Sequence, residues 1–350
     1  MDMDIHRESQ LPQAGPKSLI CESGRVLFGH FDGPVQSLGV EHFRYINAMD
    51  KPHGSLARRF HFKQFQFVSV CTSRFLLGVA LADIRYAASG FCYLYDIEAN
   101  KLVETSWLKP LALGCIMAPS PWDGYSRLGG KKGQISMEIK AGVWQLRIAT
   151  EQIDAALTLV PPLNSLPMAM CNPTGYSGWT YTQKHNALGV EGSLIINQEP
   201  LALDEALAGY DFSAGFMRRE TSWRWASING RIQGALFGLN LAAGVNETGC
   251  NENVFWINGQ RHLLGPVQFD FTRERSGHTS REWRISSLDG KVDLTFHPLN
   301  KRQERLNLWL LKSNFRQYIG YFDGAIEDAS GRVHRLEKVL GLTEDHFALW

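Results

Sequence analysis

No C-x-x-C pair occurs in the chain: the six cysteines stand singly at 21, 71, 92, 115, 171 and 250. Neither a disulfide framework nor a zinc knuckle is therefore expected, and the thiols read as reduced and mostly packed. Surplus charge is also missing. Lys plus Arg number 36 against 35 Asp plus Glu, a formal net charge of +1, which argues against the basic field that nucleic-acid phosphates require. No apolar run reaches the ~18 residues of a spanning helix, and FLLGVALA at 75–82 is only strand-sized, so no integral membrane segment is expected. The opening MDMDIHRESQLPQAGPK has neither the basic start nor the apolar run of a secretory signal. Residues 1–20 read as a flexible lead-in and the protein as cytoplasmic. There is no G-x-G-x-x-G, P-loop or G-x-S-x-G, and GYSG lacks the spacing of a nucleophile elbow. Any catalysis is expected to need no cofactor. The glycine-rich GGKKG at 129–133 fits a phosphate cradle or, more simply, a hairpin tip.

Long amphipathic helical patterns are scarce as well; LDEALAG at 203–209 is at most a short helical turn. What remains is strand. With 44% hydrophobic and 20% charged residues the chain is an ordinary globular one, long enough for about two domains. Asn229-Gly230, Asn258-Gly259 and Asp289-Gly290 are hairpin signals between β-branched and aromatic runs. The class is all-β and antiparallel. Three blocks recur in order in the two halves, matching Gly78 to Gly238, Trp144 to Trp283, and Asp211 to Asp345 or its neighbour Glu344. On this reading an internal duplication gives one domain over 21–216 and a second over 217–350. The proline-rich VPPLNSLPMAMCNPTG (160–175) is then a connection inside the first domain, or alternatively the boundary itself.

AGYDFSAGFMRRETSWRWAS (208–227) sits where the two copies meet. A two-residue turn at Asn229-Gly230 sets Trp225 opposite Gly234 and puts Trp223, Trp225 and Ser227 on one face with Ile232, Gly234 and Leu236. That face is expected to be inside. Past Leu236 the alternation breaks, so either a bulge at Gly238 flips the face or Asn240 points into a cavity. A small barrel with an internal polar group is a ligand-binding design.

The same string, followed by GLNLAAGVNE, NENVFWING and KVDLTF and closing on GLTEDHFALW, resembles the family named domain of unknown function 2804. More distantly, a carboxylate turn followed by Trp-x-Trp is similar to the carotenoid hydratases (hydroxyneurosporene synthases) and their two-domain lipocalin-like relatives, which include cyclase-like enzymes. Those relatives carry Asp-His-x-Trp-Gly at the turn. Here DFSAG keeps Asp211 and Gly215 and lacks the His and Trp. The resemblance implies two tandem lipocalin-like barrels or sandwiches.

Candidate chemistry centres on two carboxylates. Asp211 near Trp223 and Trp225 would be partly desolvated and suited to protonating an alkene or activating water; as an alternative it caps its turn or pairs with Arg218 or Arg219. Glu252 in GCNENVFW would split acid and base roles with it, or lie in an ordinary polar loop. GYSGWTYTQKHNALG (175–189) adds Tyr176, Lys184 and His185 as ligand-contact candidates. Alternation there puts Trp179, Tyr181 and Gln183 on one face and Thr180, Thr182 and Lys184 on the other. Lys184 reads as aimed at an acidic head group or at solvent. His185 has no partner at metal spacing, so no metal site is expected. Trp223, Trp225, Asn240 and Arg218 complete the ligand-binding set. The leading function is binding of an apolar, isoprenoid- or lipid-like molecule at the domain interface, with hydration, cyclisation or isomerisation. The alternatives are a non-catalytic hydrophobic-ligand carrier and a carbohydrate-active or carbohydrate-binding protein.

Overall fold

A computed structural model of the protein describes residues 12–244, 248–273, 282–308 and 311–350. Alternating apolar residues drive two large antiparallel sheets. Along the first, hydrogen-bonded neighbours run Lys101–Pro110, Ala87–Asp96, Phe75–Asp83, Phe62–Cys71, Leu207–Phe216, Gly178–Ile196, Ile153–Val160, Val143–Thr150, Gly133–Lys140 and Gly124–Gly130. The second runs Gln260–Leu263, Val254–Ile257, Ala235–Ala243, Glu220–Ile232, Val333–Leu349, Leu311–Glu327, Val292–Leu308, Trp283–Ser287 and Val267–Asp270. Both sheets curl like barrels. In the first, the Trp107 ring approaches to 3.4 Å from where a Gly130 Cβ would stand, so the outermost strands meet. In the second, Val267 from the far edge shares a core with Leu239 and Leu241.

The two strand orders follow one plan. In each sheet a meander begins with a strand that also pairs with the sheet's last strand in sequence: 62–71 with 207–216, and 220–232 with 333–349. Gly78 and Gly238 both lie in the second meander strand, Trp144 and Trp283 in the second strand beyond the penultimate one, and Asp211 and Glu344 in the closing strand. The proline-rich segment returns as the strand Met168–Thr174 within the first sheet. Lys131 and Lys132 form the two-residue tip between Gly130 and Gly133. Of the expected loose lead-in, residues 1–11 lie outside the described residues, whereas Leu19 and Ile20 are fully buried in the first core. The lead-in from 12 onward is thus packed, because those two side chains have apolar surface to bury.

The hairpin register departs from expectation. Ile232 pairs with Ala235, so the turn is Gln233-Gly234, both with positive φ (49° and 84°), and Asn229-Gly230 lies inside the strand opposite Gly238 and Phe237. Trp225 consequently pairs with Ala242 rather than Gly234. The four-residue shift also corrects the facing: Ala226, Ile228 and Ile232 join Phe237, Leu239 and Leu241 in the second core. Trp225 and Ala242 instead turn outward into a separate cluster with Phe67, Ala80, Phe91 and Phe315. The apolar run after Leu236 needs no bulge, since its pairing is continuous. Of the other two signals, Asn258-Gly259 is a two-residue turn, and Asp289-Gly290 lies in a four-residue connection between Ser287 and Val292.

The sheets therefore pack through their outer faces. Asn229, displaced from a turn, does this work: its Nδ2 donates to Ser69 Oγ at 3.0 Å and its Oδ1 accepts from Ala187 N at 2.9 Å. A Cβ on Gly209 would come within 2.6 Å of Asn229 Oδ1, which explains a glycine there. No helix among the described residues is long and apolar enough to cross a membrane. Replacing Asn229 with Ala strands buried partners and should cost about 1–3 kcal/mol, read as a lower urea midpoint. An unchanged midpoint would mean that Asn229 sits in an exposed turn after all.

Candidate functional site

Antiparallel partners share a face, and two rows of partners meet at the seam. On the first sheet the row is Lys184, Asp211, Phe67, Ala80 and Phe91 across five adjacent strands. On the second it is Ala242, Trp225, Glu344, Gln317 and Arg302. Phe67 meets Trp225 edge to face at 5.7 Å, and the Arg302 guanidinium lies 3.7 Å over the Phe91 ring. A cavity of about 200 Å³ opens between the rows. Its walls are largely apolar, and exposed Arg218, Leu108 and Lys312 stand at its mouth.

Three charged side chains form the floor. Lys184 Nζ contacts Asp211 Oδ2 and lies 3.0 Å from Glu252 Oε2, with all three residues buried. Lys184 and Asp211 face each other because their strands pair directly; Glu252 comes from the loop before Val254–Ile257. Burial alone would lower the Lys184 pKa, but the two carboxylates outweigh it and hold the ammonium above its ordinary value. Ser213 Oγ donates to Asp211 Oδ1 at 3.2 Å. Among the described residues, the cation on Asp211 is thus Lys184 rather than Arg218 or Arg219. Lys184 is turned to these carboxylates and not to solvent.

A third buried carboxylate lines the same cavity. Glu344 is held at Oε1 by Trp223 Nε1 (2.8 Å) and at Oε2 by Gln317 Nε2 (3.2 Å). Desolvation pushes its pKa up to about 7, against the lowering effect of those two donors, and the Asp211 charge adds to the rise. Asp345, one residue on, faces the other way and is bound by Arg273 and Arg316. Glu344 rather than Asp345 is therefore the counterpart of Asp211, because alternation sends only one of the neighbours to the seam.

Asp211, Glu252, Lys184, Trp223, Trp225 and Arg218 converge on this cavity. Asn240 stands just behind it, accepting from Trp225 Nε1 at 2.7 Å and donating to the Glu252 carbonyl at 2.8 Å, so it orients both. Tyr176 and His185 do not join them. Tyr176 is exposed and bonds Asp50. His185 lies on the opposite strand face from Lys184, bonded to Ser165 Oγ at 2.7 Å, with burial pushing its pKa down to about 3. The alternation of 179–184 holds: Tyr181 and Gln183 point into the first core and bond each other, while Thr180 and Lys184 line the cavity. Glu344 was visible in the sequence only as the counterpart of Asp211, and Arg302 and Lys63, also lining, carried no signal. Among the described residues no group of three His, Cys, Asp or Glu side chains could hold a metal.

Replacing Lys184 with Met should leave two buried carboxylates uncompensated and cost about 3–5 kcal/mol at neutral pH. The loss should shrink as the pH falls, because protonation discharges the stranded groups. A small, pH-independent loss in urea denaturation would contradict the ion cluster.

The fold is shared with a solved protein. Kievitone hydratase from Nectria haematococca superposes with a TM-score of 0.51 at 12% identity, over 82% of this chain and 88% of that one. A Nitrosomonas europaea chain provisionally named ATTH covers 82% of this chain and 92% of its own at 14% identity, with a TM-score of 0.46. No curated protein matches the sequence. A family model described as a domain of unknown function, DUF2804, matches residues 11–350, and the chain belongs to that family.

Proposed function

We propose that the protein binds an apolar small molecule in the cavity between its two sheets and hydrates, cyclises or isomerises it without a cofactor. The observation that carries this is the buried Lys184, Asp211 and Glu252 cluster on the floor of a chamber whose walls are largely apolar. Three desolvated charges cost several kcal/mol each to bury before pairing, and fixing the seam does not by itself require them to open onto the chamber. Beside an apolar ligand, however, fixed charges and a raised carboxyl group act in low dielectric, where they stabilise a developing cation strongly. The hydratase named among the structures of the same fold agrees with such chemistry. The carbohydrate alternative asks for exposed tryptophans along an open groove, and Trp225 is 8% exposed inside the chamber.

Size narrows the ligand. An engineered cavity of roughly 150 Å³ takes benzene, so about 200 Å³ receives one ring or branched unit. Any longer tail of an isoprenoid or lipid leaves past Leu108 and Arg218.

Two measurements test the reading. Organic extraction of the purified protein followed by mass spectrometry should release an apolar compound. The neutral one-ring compound anisole should bind in a calorimetric titration, and Ala242→Trp, which fills the chamber, should weaken that binding at least about tenfold, as expected when an aromatic ring occupies a site of this size. An empty protein that binds no probe would overturn the proposal.

A further inference from the structure

Glu344 differs in kind from the other two acids. Asp211 and Glu252 share an ammonium, whereas Glu344 is fixed by two neutral donors, the Trp223 indole and the Gln317 amide. Gln317 is itself pinned, because Tyr93 donates its hydroxyl to Gln317 Oε1 at 2.7 Å across the seam. The basic group within ion-pair distance of Glu344 among the described residues is the His346 imidazole, 3.8 Å from Oε1. Burial drives the His346 pKa down to about 3, so the ring is neutral. Lys184 and Asp211 face Glu344 from the first sheet, with Glu252 beside them. On its own sheet Arg302 stands two strands away, already paired with Glu104 and Glu304 at 2.8 Å each. The carboxyl group thus reaches the cavity with each oxygen holding one donor and no cation committed to it.

From this placement we propose that Glu344 is the acid that protonates the ligand, and that the Lys184-bound Asp211 opposite it takes the proton from the attacking water. This rests on the cavity being the ligand site. For an alkene, the Glu344 O–H bond breaks and a C–H bond forms at one carbon, leaving the cation at the other. Water then forms the C–O bond there and gives its proton to Asp211. The alkene has gained one water; the proton returns from Asp211 to Glu344, and no redox partner is involved. An isomerisation uses the same first step and loses a neighbouring proton to Asp211 instead. The raised pKa of about 7 fits this role, since it keeps part of Glu344 protonated at neutral pH.

Phenyl vinyl ether is a one-ring probe whose cleavage to phenol and acetaldehyde begins with proton transfer to carbon. Wild type should release phenol faster than buffer, with a rate that declines as the pH rises through about 7. Glu344→Gln should lower that rate about 10²-fold or more while anisole still binds. A second readout needs no turnover. Because the folded-state pKa lies above the ordinary 4.5, Glu344 makes wild type lose stability as the pH rises from about 4.5 to about 7, and Glu344→Gln should lose less over that window. Rate and pH profile unchanged in Glu344→Gln, or wild type that binds the vinyl ether without accelerating it, would overturn the proposal and leave the cavity reading standing. Failure of wild type to bind either probe would overturn both.

Discussion

A buried ammonium shared by two carboxylates joins the two halves of the molecule at its centre. Lys184 and Asp211 belong to adjacent strands of the first sheet, while Glu252 precedes a strand of the second. Remove the ammonium and two carboxylates on separate sheets repel across a desolvated seam; keep it and the seam is fixed in register. Asn240 extends the arrangement by gripping both the Glu252 backbone and the Trp225 indole. The cavity lies beside that clamp, and Phe67 and Trp225, which meet edge to face, both line it.

The architecture also explains why a carboxyl group with a raised pKa stands opposite. Each sheet brings its closing strand beside its first meander strand, and each closing strand presents one carboxylate to the seam, Asp211 or Glu344. Their partners differ. Asp211 faces Lys184 in its row and Glu344 faces Gln317, so equivalent positions receive a cation on one side and an amide on the other. Two carboxyl groups set in different surroundings, one against a cation and one against neutral donors, are the usual basis for dividing acid and base work.

Much of this was legible in the sequence. The hairpin signals, the missing helical periodicity and the recurring blocks gave the all-β class and the equivalence of Gly78 with Gly238 and of Trp144 with Trp283. The string around Asp211 located the seam. Local rules failed where tertiary partners overrode them. Asn229-Gly230 has the composition of a tight turn, but its amide is claimed by Ser69 and Ala187 of the other sheet. The turn passed to Gln233-Gly234, where Gln tolerates the positive φ. Lys184 looked like a surface lysine because its two carboxylate partners are distant in the chain, and His185 was misplaced because adjacent strand residues face opposite ways. Glu344 could not be singled out from Asp345 without knowing which neighbour turns to the seam.

The chemistry proposed for the cavity depends on the protonation of one buried carboxyl group, Glu344. With glutamate labelled at the side-chain carboxyl carbon, an NMR titration of the full chain follows each glutamate, and Glu344→Gln identifies the resonance of interest. One carboxyl carbon titrating near pH 7 and vanishing in that variant is the predicted result. Every glutamate titrating in the ordinary range near 4.3 would contradict it.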